Sequence, residues 1–268
     1  MILASMSPAG LWLTLAAATA YAVTAAAAAR LGARSASTLL LAAWLAHALA
    51  LAEGLFGTTP RFGFGPALSM TAWLVLTVYG VESRLFPQLK ARWALAGLGA
   101  AAVVVAQLFP GSVLHVAASA WLPLHWALGI ASYGLFGAAV VHAMLMTRAE
   151  RRIRLASDPH SDLPILTLER LTFRFVQAGF ILLTATLGVG WLFGEQIYGT
   201  AGAHWKWDHK TVFSLLSWLT FATLLAGRVR LGWRGRRAVR VLYIGAGLLL
   251  LAYAGSRFVL EVVLGRTA

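Results

Sequence analysis

The chain has no cysteine among its 268 residues. It therefore forms no disulfide, holds no thiolate-bound iron–sulfur cluster and performs no thiol exchange of its own. Charge is also scarce. Only 12% of residues are charged, about half the share of a soluble domain. Acidic residues are scarcer still, 9 against 22 lysines and arginines. Residues Met1 to Gly10 carry no lysine or arginine. A secretory signal needs a positive start, so none is expected and the first apolar run reads as a retained span.

What is present is apolar. Hydrophobic residues make up 60% of the chain, mostly in runs long enough to cross a bilayer as helices. The expected fold is all-α: one polytopic membrane helix bundle over residues 1–268. Eight spans are expected, at about 10–29, 36–56, 66–81, 93–109, 124–147, 172–194, 209–227 and 240–260. Assigning lysine and arginine to alternate sides of these spans gives 17 on one side and 5 on the other, which together make the 22. Positive charge stays cytoplasmic, so both termini are expected outside, in a bacterial inner membrane. The net charge of +13 is then a topology signal, and no nucleic-acid partner is expected. The basic run Gly232-Trp233-Arg234-Gly235-Arg236-Arg237 is expected to touch anionic headgroups of membrane lipid. Small residues such as Gly129, Ser132, Gly134 and Gly137 let helices approach closely. No internal repeat stands out.

The densest polar cluster is His204-Trp205-Lys206-Trp207-Asp208-His209-Lys210, on the outer side of this topology. Asp208 suits a helix N-cap. Trp205 and Trp207 suit either an interfacial belt or a flat platform for a flat ligand. Ionisable groups at membrane depth are costly and face the protein interior. His47 is mid-span. His125 opens the fifth span, with Gly129, Ser132, Tyr133 and Phe136 on one broad helical face. His142 lies round from that face and reads as packing. His115 and His160 fall in loops. Histidines and tryptophans at one outer face suit haem, whose iron takes imidazole and whose propionates need cations such as Lys206, Lys210 or Arg61. Zinc would leave the apolar wall without a role. A permease would need paired acid–base groups near the midplane, which are absent from the sequence.

Trp205-Lys206-Trp207-Asp208-His209-Lys210, with Ser214-Leu215-Leu216-Ser217-Trp218-Leu219, resembles the tryptophan-rich segment of the CcsA/CcmC/CcmF cytochrome c assembly superfamily. Leu124-His125-Trp126 and Ser132-Tyr133-Gly134-Leu135-Phe136 resemble its external-histidine segment. Gly232–Arg237 and Ala252–Arg257 are similar to its YpjD/HemX-like branch. The resemblance covers about residues 120–260. It implies a membrane protein that presents haem b at the periplasmic face for cytochrome c biogenesis, with apocytochrome c or other assembly proteins as partners.

The cofactor-binding set expected from the residues and the resemblance together is His125, His47, Trp205, Trp207, Asp208, His209 and Tyr133. His125 and His47 are the candidate iron ligands. The family's later histidines are missing: Ala226-Gly227-Arg228 and Ala254-Gly255-Ser256-Arg257 stand in their places. An accessory, non-enzymatic role is therefore expected. The competing expectation is a scaffold or regulatory subunit on the same fold that binds no haem, for example one assisting a transporter.

Overall fold

A computed structural model describes residues 8–27, 30, 32–85, 92–113, 121–155, 165–198 and 207–259. The elements are α1 (Pro8–Ala26), α2 (Ala33–Phe56), β1 (Arg61–Phe62), α3 (Phe64–Leu85), α4 (Arg92–Leu108), β2 (Ser112–Val113), α5 (Trp121–Arg154), α6 (Ile165–Leu192), α7 (Gly194–Tyr198), α8 (His209–Leu231) and α9 (Gly235–Leu250). A wide π turn, Leu251–Gly255, and a last turn, α10 (Ser256–Phe258), follow. The chain is an all-α polytopic membrane bundle, and seven of its described helices are long and apolar enough to span. The fourth expected span is α4. Its 17 residues reach about 26 Å at 1.5 Å each, short of the roughly 30 Å of hydrocarbon.

The helices pack as two compact units: residues 1–116 with 257–268, and residues 117–256. The sequence reads as one membrane domain. The division follows from each unit closing its own core.

In the first unit α1 packs on α2 and α4, and α3 packs on α4 and α2. The alanine run of α1 lets helices close around Tyr21, which is fully buried. Gly99 on α4 makes the niche: a Cβ there would stand 2.9 Å from the Tyr21 ring. Trp44 and Trp73 stack at 5.0 Å, and the Trp44 indole donates to Thr77 Oγ1 at 2.8 Å. The two-residue strands pair antiparallel, Arg61 opposite Val113. Gly111, just before β2, has φ +77, and a side chain there would strike the Phe62 backbone. Phe258 meets the Phe64 ring edge-on within this unit.

In the second unit two clasps hold the core. Ser132 on α5 donates to Gly179 O on α6 at 3.1 Å, and Ser217 on α8 donates to Gly245 O on α9 at 2.8 Å. One turn after each serine comes a phenylalanine lying on that same glycine, Phe136 on Gly179 and Phe221 on Gly245. The two rings stack on each other at 3.7 Å with 5° between planes. Both are buried.

Between residues 147 and 172, where the expected spans leave a connection, most of the described residues are helical. α5 runs on to Arg154, with Ala149 buried and an Arg154–Glu150 pair at 3.0 Å. α6 begins at Ile165, with Leu168 buried. Charge on one helical face hid the apolar face from a reading based on continuous runs. Asp158-Pro159-His160-Ser161-Asp162, whose residue types favour a turn, lies outside the described residues.

The Gly245 contact is the tighter of the two clasps. A Cβ there would sit 2.8 Å from Phe221, against 3.2 Å for Gly179 and Phe136. Gly245→Val is expected to cost about 1–3 kcal/mol, the range for overpacking a filled core. Gly179→Ala should cost less, and Ser217→Ala about 0.6–1 kcal/mol. Thermal unfolding in detergent checks the order; a wild-type midpoint for Gly245→Val would dissolve the clasp.

Candidate functional site

The start of α8 is fixed by Asp208. Its carboxylate accepts from the Thr211 backbone N–H at 2.8 Å, as expected of an N-cap. Trp207, just before it, is 73% exposed. His209 is the first helical residue and is also exposed. Trp205, His204 and Lys206 lie outside the described residues, as does His115.

His125 sits one turn into α5 and is half-buried against α6. Its Nδ1 stands 3.1 Å from Thr186 O. A carbonyl only accepts, so Nδ1 carries the proton and Nε2 keeps its lone pair. No described residue engages Nε2. The ring lies on Gly190, where a Cβ would come within 3.2 Å of Cε1. Thr186 and Gly190 were missed in the sequence. They are one helical turn apart on α6, and that spacing was the available signal.

Trp218 on α8 donates to Thr184 Oγ1 on α6 at 2.9 Å. Asp208 stands ten residues before Trp218 on antiparallel α8, and Thr186 only two after Thr184 on α6, both toward the same end of the unit. At 1.5 Å per residue His125 therefore lies roughly two helical turns inward of Asp208, at the same end of the unit. Its expected level with the tryptophan segment shifts inward accordingly. Tyr133 points its hydroxyl elsewhere, donating to Leu249 O on α9. His142 is buried, bonds Ala138 O at 2.9 Å and stacks on Phe175, as a packing residue should.

His47 belongs to the first unit and His125 to the second. His47 is 1% exposed, with Nε2 2.7 Å from Ser69 Oγ and Nδ1 3.3 Å from Tyr21 Oη. Both ring nitrogens thus meet hydroxyls from neighbouring helices. His47 borders a cavity of about 90 Å³ that Arg61 and Gln107 also line. The Gln107 amide and Arg61 Nε have no partner among the described residues, while Arg61 Nη1 donates to Gly111 O at 3.3 Å.

Among the described residues no three or more of His, Cys, Asp or Glu gather as a metal cage. A bare metal ion thus finds no cage in the described part of the chain. Haem makes a smaller demand, because its macrocycle already holds the iron and the protein adds one or two axial groups. An imidazole with Nδ1–H tied to a carbonyl and Nε2 open fits that demand.

A family model described as cytochrome C assembly protein matches residues 31–264. The inner membrane protein YpjD of Escherichia coli K12 is 28% identical over 203 residues, 74% of each chain. The cytochrome c biogenesis protein CcsA of Prochlorococcus marinus subsp. pastoris is 29% identical over 183 residues, 66% of this chain and 54% of that one. CcsA of Synechococcus elongatus is 31% identical over 124 residues, 46% of this chain and 34% of that one. No solved structure matches. The family match reaches back to residue 31. It takes in most of the first unit, where the motifs alone placed the resemblance over about 120–260. The chain belongs to the cytochrome c assembly protein family, in its CcsA/YpjD-like superfamily.

Proposed function

We propose that this protein holds haem b at the outer face of the bacterial inner membrane and presents it for cytochrome c biogenesis, as an accessory rather than an enzyme. The observation that carries this reading is the His125 geometry: Nδ1 tied to Thr186 O, ring on Gly190, Nε2 without a partner among the described residues. The carbonyl bond fixes ring orientation and raises the basicity of the free nitrogen, as second-shell partners of ligating histidines do. Trp207 offers an exposed flat ring beside the site's outer edge, and Asp208 fixes where the chain enters α8. Trp205 and Lys206 extend that segment, one with a further ring and the other with a cation for a propionate. Haem supplies the macrocycle that is attached to Cys-x-x-Cys-His apoproteins. The thiols must come from that partner, since this chain has none.

His47 is a packing residue in this reading, because ligation would break a hydrogen bond to Ser69 or Tyr21. The second axial position falls to a histidine of the tryptophan segment, His204 or His209. Tyr133 supports α5 from behind through Leu249.

The topology that goes with this role has eight crossings, α4 being the short one, with both termini and the tryptophan segment periplasmic. The 17-to-5 division of basic residues supports it. Reporter fusions after Arg34, Arg92, Arg154 and Arg237 are expected to read cytoplasm, and those near Arg61, Gly111 and Gly202 periplasm. A cytoplasmic reading at Gly202 would put the site on the wrong face.

His125→Gly is expected to lose haem and to regain it with added imidazole, measured by haem per protein and absorbance spectrum. His47→Gly should keep haem but unfold at lower temperature. Trp207→Ala should insert normally and bind haem more weakly. Loss of haem from His47→Gly alone, with His125→Gly unchanged, would reverse the assignment.

A further inference from the structure

At the end of the second unit opposite His125 and Asp208, the last turn of α8 and the first turns of α6 and α9 enclose a cleft of about 360 Å³. Four arginines line it, Arg170, Arg174, Arg228 and Arg234, against one carboxylate, Glu169. That leaves a formal excess of three positive charges in one depression.

The cleft is built around the Gly232–Arg237 segment. Gly232 ends α8 in the left-handed region, φ 63, and the Trp233 N–H returns to Gly227 O at 3.1 Å. The Gly232 N–H converges on the same carbonyl, and a left-handed glycine is a common way for a helix to end. The turn lays the Trp233 indole on Gly227, where any side chain would collide with it. Trp233 O then accepts from Arg228 Nη1 at 3.2 Å. Arg228 also pairs with Glu169 at 2.5 Å and lies over the buried Phe173 ring at 4.4 Å. It is thus held on three sides, its side chain 26% exposed. Arg234 reaches the same carboxylate only at 3.9 Å and is 69% exposed. Arg170 and Arg174, one turn apart on α6, are exposed and have no ion-pair partner among the described residues. Glu169 therefore positions two arginines without neutralising the group.

Guanidinium groups match phosphate oxygens in pairs. The cleft stands where apolar helices give way to basic ends, the level of lipid phosphates. Leu166, on its rim, is 74% exposed, and Val229 and Leu231, in the same last turns of α8 as Arg228, are 81% and 68% exposed. These apolar surfaces suit acyl chains, and a soluble anion would gain nothing from them.

We propose that this cleft is a binding site for the phosphodiester headgroup of an anionic phospholipid, with a diphosphate lipid of the cardiolipin type held more tightly than a monophosphate one. Arg228 and Glu169 form the fixed floor. Arg170, Arg174 and Arg234 supply the charge. The site is independent of any haem binding and lies away from His125.

The test is native mass spectrometry of the full chain in detergent, titrated with cardiolipin, phosphatidylglycerol or phosphatidylethanolamine, and with inorganic phosphate as competitor. Cardiolipin should be retained best, phosphatidylglycerol next and phosphatidylethanolamine least. The double variant Arg170→Gln with Arg174→Gln should weaken cardiolipin retention roughly thirtyfold, as expected for two arginines near the headgroups. Arg30→Gln with Arg84→Gln, also basic but in the first unit, should not. Both pairs of substitutions leave the packed core untouched. Equal retention of phosphatidylethanolamine, or equal loss in the two double variants, would overturn the site. Displacement of lipid by millimolar phosphate would assign the cleft to free anions and overturn the lipid reading.

Discussion

The stack of Phe136 on Phe221 is the contact on which the second unit depends. Lipid tails are as apolar as leucine, so helices in a membrane gain little by hiding apolar surface from each other. Close contact and internal hydrogen bonds must replace that force. Here α5 clasps α6 through Ser132 and Gly179, and α8 clasps α9 through Ser217 and Gly245. Each pair then offers one ring, and the rings meet at 3.7 Å. The glycines are needed because the phenylalanines occupy the space a Cβ would take. Through this stack α8 is held against α5, and so the start of α8 comes to the same end as His125. The proposed site inherits its geometry from a contact well inside the bundle.

Most polar side chains described within the helices have their hydrogen bonds closed. Thr14, Thr24, Thr71, Thr172 and Thr186 return theirs to the preceding turn. The Trp44 and Trp218 indoles each find a threonine on another helix. His47 is closed on both nitrogens. Against that background an imidazole with one nitrogen committed and the other open among the described residues stands out, because an unmade hydrogen bond at membrane depth is costly. The same contrast separates the two histidines that the sequence placed together as candidate iron ligands.

Much of this was legible in the sequence. The apolar runs locate the helices, because a span must be continuous to satisfy its backbone in lipid. Asp208 before Thr211 announces a cap, since capping is local. The cost of a buried imidazole at His47 required an interior partner, and partners exist, two hydroxyls from α1 and α3. Their identity depends on which helices meet, which a single sequence does not encode locally. Thr186 and Gly190 escaped for the same reason. The last turns of α5 and the first of α6 escaped because amphipathic helix breaks the apolar run. Ser132-x-x-x-Phe136 and Ser217-x-x-x-Phe221 escaped as a repeat because two residues in five match, and only packing shows that those two do the same job.

The claim at the centre of this account is that the second unit holds haem through His125. The most direct measurement is the absorbance spectrum of the wild-type full chain, purified in mild detergent from haem-replete cells, followed by a pyridine haemochrome assay. The account predicts a Soret band and haem b in near-stoichiometric amount. A colourless protein, folded and inserted, would contradict it.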